Sequence, residues 1–439
     1  MFLIYSLLFT LGLVVMGPYY LWRRRARFSR EELRERFGFL PARMAQDSAG
    51  AVWVHAVSVG ETLAVAKLIG DVARRYPEKK IFLSHVTPAG REAGERRAPN
   101  VAGRFYLPFD WAWSVRRTVG TIRPGVLLVA ETELWPNLLR LAKASGARVG
   151  LVNARISDRS FRRYRIFRSL FGRILDSVDC VCAQTSRDAE RFEANGMKAE
   201  RVVVTGNLKF DAAPARESEL ADVLRAAFQA AGRGPVLIAA STMTGEENRV
   251  MDAWRIVRMK FPDALLILAP RHPVRFDGVA RTVAAAGSTL VRRSELGPLA
   301  EEQPAELESA DIFLLDSIGE LAGLFPVADV VFVGGSLVPT GGHNLLEPAF
   351  SSKPILFGPH MANFRDVAEL FLSEEAAIQA PDAEALGRNV VELFSDAPRR
   401  NALGGRARWL VAQQAGATER TLEQIKPWLD ASIPAAARP

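Results

Sequence analysis

The sequence predicts an α/β protein built from two doubly wound parallel-sheet domains in series. Short apolar runs alternate with helical patterns along almost the whole of the 439 residues. Most of these runs are continuous stretches of Val, Ile, Leu and Phe, not period-2 alternations, as strands buried on both faces of a parallel sheet require. The alternation pauses at FDAAPARESE (210–219) and AAGRGP (230–235), which leaves two series of roughly 200 residues, each of ordinary domain size. Two Rossmann-like domains facing a cleft are therefore expected, with ligands beyond the carboxyl ends of the strands.

The elements follow in order. Phe2–Trp22 carries no charge and is followed at once by Arg23-Arg24-Arg25-Ala26-Arg27. As a helix it would be about 30 Å long, the thickness of a hydrocarbon core. Charges after the apolar run, not before it, argue against a cleaved signal peptide, so residues 1–22 are expected to be a transmembrane anchor. The positive-inside rule then places the remainder in the cytoplasm. Ser29–Phe39, SREELRERFGF, reads as a charged amphipathic piece. Strands are expected at Val52–Val59, Ile81–Val86, Arg104–Leu107, Val126–Ala130, Arg148–Asn153, Cys180–Gln184 and Val202–Gly206. The second series is Pro235–Ala240, Ala264–Ala269, Thr289–Arg292, Ile312–Asp316, Val330–Gly334, Pro354–Gly358 and a weak Ala376–Ala380. The expected limits are 23–215 for the first domain and 216–430 for the second.

Lys and Arg exceed Asp and Glu by 57 − 49 = 8, with a pI near 9.7 and a mean hydropathy of +0.03. Such a balance suits anionic membranes or phosphorylated substrates. Arg155–Arg173 holds seven arginines among Phe, Tyr, Ile and Leu, and reads as a basic amphipathic helix that meets headgroups or phosphates. No recognition motif for nucleic acid accompanies the charge. Cys180 and Cys182 form a single C-x-C, too little for a structural zinc or a disulfide framework.

Chemistry concentrates at strand ends. In VVFVGGSLVPTGGHNLLEPAF (Val330–Phe350) a strand enters a loop with four glycines, and a helix is expected to open at His343-Asn344 with Glu347 on its first turn. Glycines admit a ligand close to the backbone, free amides at a helix start attract phosphate, and the acid can accept from a ribose hydroxyl. Glu61 follows the first strand in HAVSVGET, placed to take a proton from an acceptor hydroxyl or simply to complement the helix dipole. Glu131 and Glu133 of AETELWPN share one face if the chain is extended. They are expected either to repel, shifting each other's titration, or to be neutralised by arginines of the basic segment. Lys209 in GNLKFD could neutralise a developing phosphate charge. In the second half Arg271 of APRHP offers a planar fork to phosphate, Ala240–Glu247 offers hydroxyls and amides, and DSIGEL (Asp316–Leu321) makes another strand-end turn. No HxxxH or HxxE pair suggests a metal.

These motifs, from the apolar N-terminus through WVHAVSVGE, AETELWPN, GNLKFD, APRHP, DSIGEL and GGSLVPTGGHNLLEPA, resemble the 3-deoxy-D-manno-octulosonic acid (Kdo) transferases over nearly the whole chain. One departure is ASTMTGEE, where the family pattern has Gly-Ser-Thr-His and this chain has Met243. The resemblance implies a GT-B fold, with the acceptor held by the first domain and CMP-Kdo by the second. It also implies no cofactor or metal, and an inverting transfer to a lipid A precursor at the inner membrane in lipopolysaccharide biosynthesis. By motif, Glu61 would be the general base, and Glu131 and Lys209 would stabilise the transition state. Pro270, Arg271, Ile318, Gly319, Glu320 and Asn344, Leu345, Leu346, Glu347 would hold CMP-Kdo. The competing readings are a GT-B transferase that uses a UDP-sugar, and a non-catalytic membrane-bound nucleotide-binding protein.

Overall fold

A computed structural model describes residues 2–24, 29–46, 48–211, 218–296 and 305–431. Arg25 and Arg27 of the basic run, and the expected domain boundary at 215/216, lie outside the described residues. The chain divides into two units, residues 1–212 with 414–439 and residues 213–413.

The first unit has a seven-stranded sheet: β1 Ala51–His55, β2 Ile81–His85, β3 Gly103–Tyr106, β4 Pro124–Ala130, β5 Arg148–Ala154, β6 Cys180–Ala183 and β7 Val202–Val204, in the order β3-β2-β1-β4-β5-β6-β7. Every pairing is parallel. The order reverses between β1 and β4, which opens a crevice at their carboxyl ends. Both faces are covered. Trp53, Leu127 and Leu151 pack into one core, and Val52, Val54 and Leu128 into another, which is why the strands read as unbroken apolar runs.

The second unit repeats the plan with β8 Val236–Thr242, β9 Leu265–Pro270, β10 Leu290–Arg292, β11 Ile312–Leu314, β12 Val330–Val333, β13 Ile355–Phe357 and β14 Ile378–Gln379, in the order β10-β11-β9-β8-β12-β13-β14. These pairings are also parallel, and the switch lies between β8 and β12. Each expected strand is found, with shifted ends. The first stops at His55 and not at Val59, because Ser58 caps the helix Val59–Arg75 and its hydroxyl accepts from the Glu61 amide.

Three expectations change. The second domain is expected to run through residue 430, but the last helix, Ala417–Asp430, belongs to the first unit. Ala417, Leu422, Ile425 and Leu429 enter the core of Val52 and Leu128, Arg420 Nε donates to the Thr205 carbonyl at 2.8 Å, and Gly416 N donates to Asp211 at 2.6 Å. The basic segment is not one helix. It breaks at Phe167 (φ −107°) into Asp158–Ile166 and Arg168–Leu175, and Tyr164 stacks on Phe171 across the break at 4.1 Å.

The third concerns the N-terminus. A helix forms over Phe2–Arg24, but among the described residues no helix is long and apolar enough to cross a membrane. Its polar side chains bind the first unit instead. Trp111 Nε1 donates to Thr10 Oγ1 at 2.8 Å, and Asn137 Nδ2 donates to Ser6 Oγ at 3.1 Å. Tyr5 is hydrogen-bonded to Asp110, whose carboxyl burial pushes up to about 6. Phe9 meets the Trp111 ring edge-on. Ile4, Leu7, Leu8, Leu11, Val14 and Val15, at the 3–4 spacing of one helical face, stay exposed.

Ile425 is wholly buried, so Ile425→Ala should destabilise the first unit by about 2–5 kcal/mol in urea unfolding. A loss below about 0.5 kcal/mol, the size of a neutral surface change, would contradict the assignment of this helix.

Candidate active site

In the first unit the switch between β1 and β4 carries the acids. Glu61 sits on the first turn of the helix after β1. Its Oε2 accepts from Val57 N and its Oε1 from Ser58 Oγ, each at 2.8 Å. The side chain is nearly buried. Its pKa is pushed up to about 7, first by desolvation and then by the like charges of Glu131 and Glu133, against the lowering pull of the Val57 and Ser58 hydrogen bonds. A carboxyl with that titration is an efficient base at neutral pH.

Glu131 follows β4 with φ 53°, in the left-handed region, so Glu131 and Glu133 are not on an extended chain as expected. The two acids have separate fates. Glu131 Oε2 accepts from Arg155 Nε at 3.0 Å, and its Oε1 faces Lys209 Nζ at 3.3 Å. Glu133 is pushed up by burial and by the Glu131 charge. Lys209 is delivered by a turn that Asn153 pins: Leu208 N donates to Asn153 Oδ1 at 2.9 Å, and Asn153 itself has φ 54°. The structure thus brings Glu61, Glu131 and Lys209 to one end of one sheet and adds Arg155 and Glu133.

In the second unit four neighbouring strands, β11, β9, β8 and β12, deliver their carboxyl ends to one edge. Pro270 ends β9. Arg271 follows it, held by its amide to the Thr242 carbonyl at 3.0 Å, with an exposed side chain. Among the described residues its guanidinium has no carboxylate partner. The turn after β11 places Ile318 in solvent and Gly319 at φ 98°. Glu320 is tied to Arg293 and to the Ser317 hydroxyl. Beside it Asp316 accepts from Ser294 N, Ser294 Oγ and Arg292, whose bonds hold its carboxyl below the usual range against the cost of burial.

The glycine loop after β12 differs from expectation in two ways. Its helix is short, Leu346–Phe350, and opens after Leu345, not at His343. Asn344 caps it by accepting from Leu346 N at 3.1 Å, and its Nδ2 faces Glu347 Oε1 at 3.3 Å. Leu345 and Leu346 are buried, so only the backbone of that pair can meet a ligand. Nor are the amides of Gly335, Ser336 and Leu337 open to phosphate. The wholly buried Glu246 accepts from Met243 N (3.1 Å), Gly335 N (2.6 Å), Ser336 N (3.0 Å) and Leu337 N (2.9 Å). A Cβ on Gly334 would stand 2.8 Å from that carboxylate. Gly334 makes room for an internal acid.

The model of the family described as 3-Deoxy-D-manno-octulosonic-acid transferase (kdotransferase) matches residues 31–212. The 3-deoxy-D-manno-octulosonic acid transferase of Bordetella pertussis is 37% identical over 439 residues, covering 96% of this chain and 99% of that protein. The chain belongs to the Kdo transferase family. The transferase of the same description from Haemophilus influenzae is 32% identical, covering 92% of this chain and 93% of its own. Among solved structures, a putative UDP-N-acetylglucosamine 2-epimerase from Listeria monocytogenes aligns with a TM-score of 0.57 at 13% identity, covering 88% of this chain and 98% of its own. UDP-GlcNAc 2-epimerase from Neisseria meningitidis aligns at 0.56 and 12%, covering 86% and 100%. At such identity these two show the fold alone, Rossmann-like units of the GT-B kind.

This glycosyltransferase carries site residues that its motifs did not single out. Arg155 opens the basic segment, so its type was legible but its partner was not. Asn153 is marked only by the tolerance of Asn for positive φ. Glu246 read as a helix-start acid, and no local pattern ties it to a loop nearly ninety residues on. His55 and His85 end β1 and β2 wholly buried, bonded through Nδ1 to Ser84 and to the Ala56 carbonyl; they are structural.

Glu246→Ala in this transferase strands several buried amides, each worth about 1–3 kcal/mol. Urea unfolding of the second unit should lose about 3 kcal/mol or more, and an unchanged midpoint would contradict the loop anchor.

Proposed function

We propose that the chain transfers Kdo from CMP-Kdo to a lipid A precursor, lipid IVA, with inversion at C2, in lipopolysaccharide biosynthesis. The supporting observation is Glu61, a desolvated carboxyl that titrates at about 7 beside Glu131, Lys209 and Arg155. Glu61 takes the proton of an acceptor sugar hydroxyl as the oxygen attacks C2 from the face opposite CMP. The bond from C2 to the phosphate oxygen breaks and CMP leaves with the electron pair. Lys209, aligned by Glu131, stabilises charge that develops in the transition state.

The second unit holds the donor. Arg271 meets the phosphate, with Pro270 and the turn Ile318-Gly319-Glu320 against the nucleotide. Asn344–Glu347 offers backbone and a carboxylate to the sugar hydroxyls. Because the amides of Gly335, Ser336 and Leu337 already serve Glu246, Arg271 is the first group for the phosphate. CMP is an activated leaving group, so a guanidinium suffices to stabilise its departure.

We further propose that the first unit rests on the cytoplasmic face of the inner membrane. The exposed stripe Leu7, Leu8, Leu11, Val14 and Val15 would lie in the interface, as amphipathic helices do. The arginines of 155–173, with exposed Ile166 and Phe167, would meet anionic headgroups.

Mass spectrometry of the products from CMP-Kdo and lipid IVA should show Kdo addition, and turnover of UDP-GlcNAc alone would reject the assignment. Glu61→Gln should lower kcat by about 10²–10⁴-fold with CMP affinity kept. Since the active form of Glu61 is the carboxylate, kcat/KM should rise with pH through about 7, then level off. A profile already flat above pH 5 would contradict the base. Leu8→Glu with Leu11→Glu should weaken co-sedimentation with anionic vesicles, and undiminished sedimentation would contradict the helix as the membrane contact.

A further inference from the structure

One ring in the second unit has no part in the account so far. His343 lies at the end of the glycine loop, between Gly342 and Asn344. Its ring packs against Gly335, where an added Cβ would stand 3.0 Å from His343 Cδ2 and 3.1 Å from Nε2. Gly335 also has φ 68°, so the loop needs glycine there twice over. The Nε2 atom is buried and has no hydrogen-bond partner among the described residues. An unpartnered buried polar atom is costly, and each one in a native structure calls for a partner or a use.

The neighbours say what kind of partner fits. Arg271 and His272 lie close enough that their charges, after burial, hold the ring's pKa at about 4. The ring is thus neutral at pH 7 and can present an N–H. The Arg271 guanidinium is near it, and the adjacent carboxylate of Glu347 is engaged by Asn344. His55 and His85 also have an unpartnered Nε2, but both are wholly buried, whereas the His343 residue is partly open to solvent.

We infer that His343 is a further donor-binding residue: beside Arg271, its Nε2–H donates to the phosphate of the nucleotide-sugar. The subsite pairs the Arg271 guanidinium with a neutral donor on the loop shaped by Glu246. This rests on the reading that the second unit holds a cytidine nucleotide. Its chemistry is that of one anionic phosphate, and the cytosine and ribose are read elsewhere.

Calorimetric titration of the full chain with CMP and with cytidine separates the two readings. His343→Phe keeps a ring against Gly335 but has no N–H, and His343→Gln restores a donor. CMP affinity should fall about tenfold in His343→Phe, one hydrogen bond to a charged group, with cytidine affinity unchanged and the loss partly recovered in His343→Gln. An unchanged ratio of CMP to cytidine affinity in His343→Phe would overturn the inference, as would equal losses for both ligands. Failure of the donor reading shows separately, as wild-type protein that binds no CMP.

Discussion

Burial takes the Glu61 carboxyl out of water, and the Val57 amide and Ser58 hydroxyl replace only part of the lost solvation. The first unit is arranged around that imbalance. The switch between β1 and β4 places Glu131 and Glu133 where their charges raise the Glu61 pKa further. Lys209 and Arg155 bind Glu131 and balance its charge. The second unit has a buried acid at the corresponding place, at the start of the helix after its own first strand, and puts it to another use. Glu246 accepts four backbone amides, so its lone pairs are taken and it acts as a structural anchor. Glu61 has one amide and one hydroxyl, which leaves it capacity to accept a proton from a substrate.

That contrast takes three amides of the glycine loop, those of Gly335, Ser336 and Leu337, away from any external anion. Glycine-rich loops after a strand often offer their amides to an anion. Here the anion is internal, and its gain is a fixed loop: Gly334 clears the Glu246 carboxylate and Gly335 clears the His343 ring. The loop then backs two side chains that stand close together, Arg271 and His343. Specificity built on side chains can be altered one residue at a time, whereas a backbone nest cannot.

Most of the fold was legible in the sequence because both faces of each sheet are covered, so the strands appear as continuous apolar runs. What escaped were features set by distant contacts. Ala417–Asp430 has an ordinary amphipathic pattern, which says that one face is buried but not in which core. The apolar N-terminus reads as a membrane span because the polar residues near its start, Tyr5, Ser6 and Thr10, carry no local sign of their partners. They are the contacts to Asp110, Asn137 and Trp111. The motifs marked Glu61, Glu131, Lys209 and Arg271 at strand ends, and the positive φ of Glu131 and the four-amide grip of Glu246 had no local signature.

The claim at the centre is that Glu61 is held half-protonated near neutral pH by its surroundings. Carbon-13 NMR titration of the full chain with labelled glutamate carboxyl groups observes this directly. The account requires one resonance with a midpoint near 7 that vanishes in Glu61→Gln. A Glu61 resonance that titrates near the ordinary value, about 4.3, would contradict it.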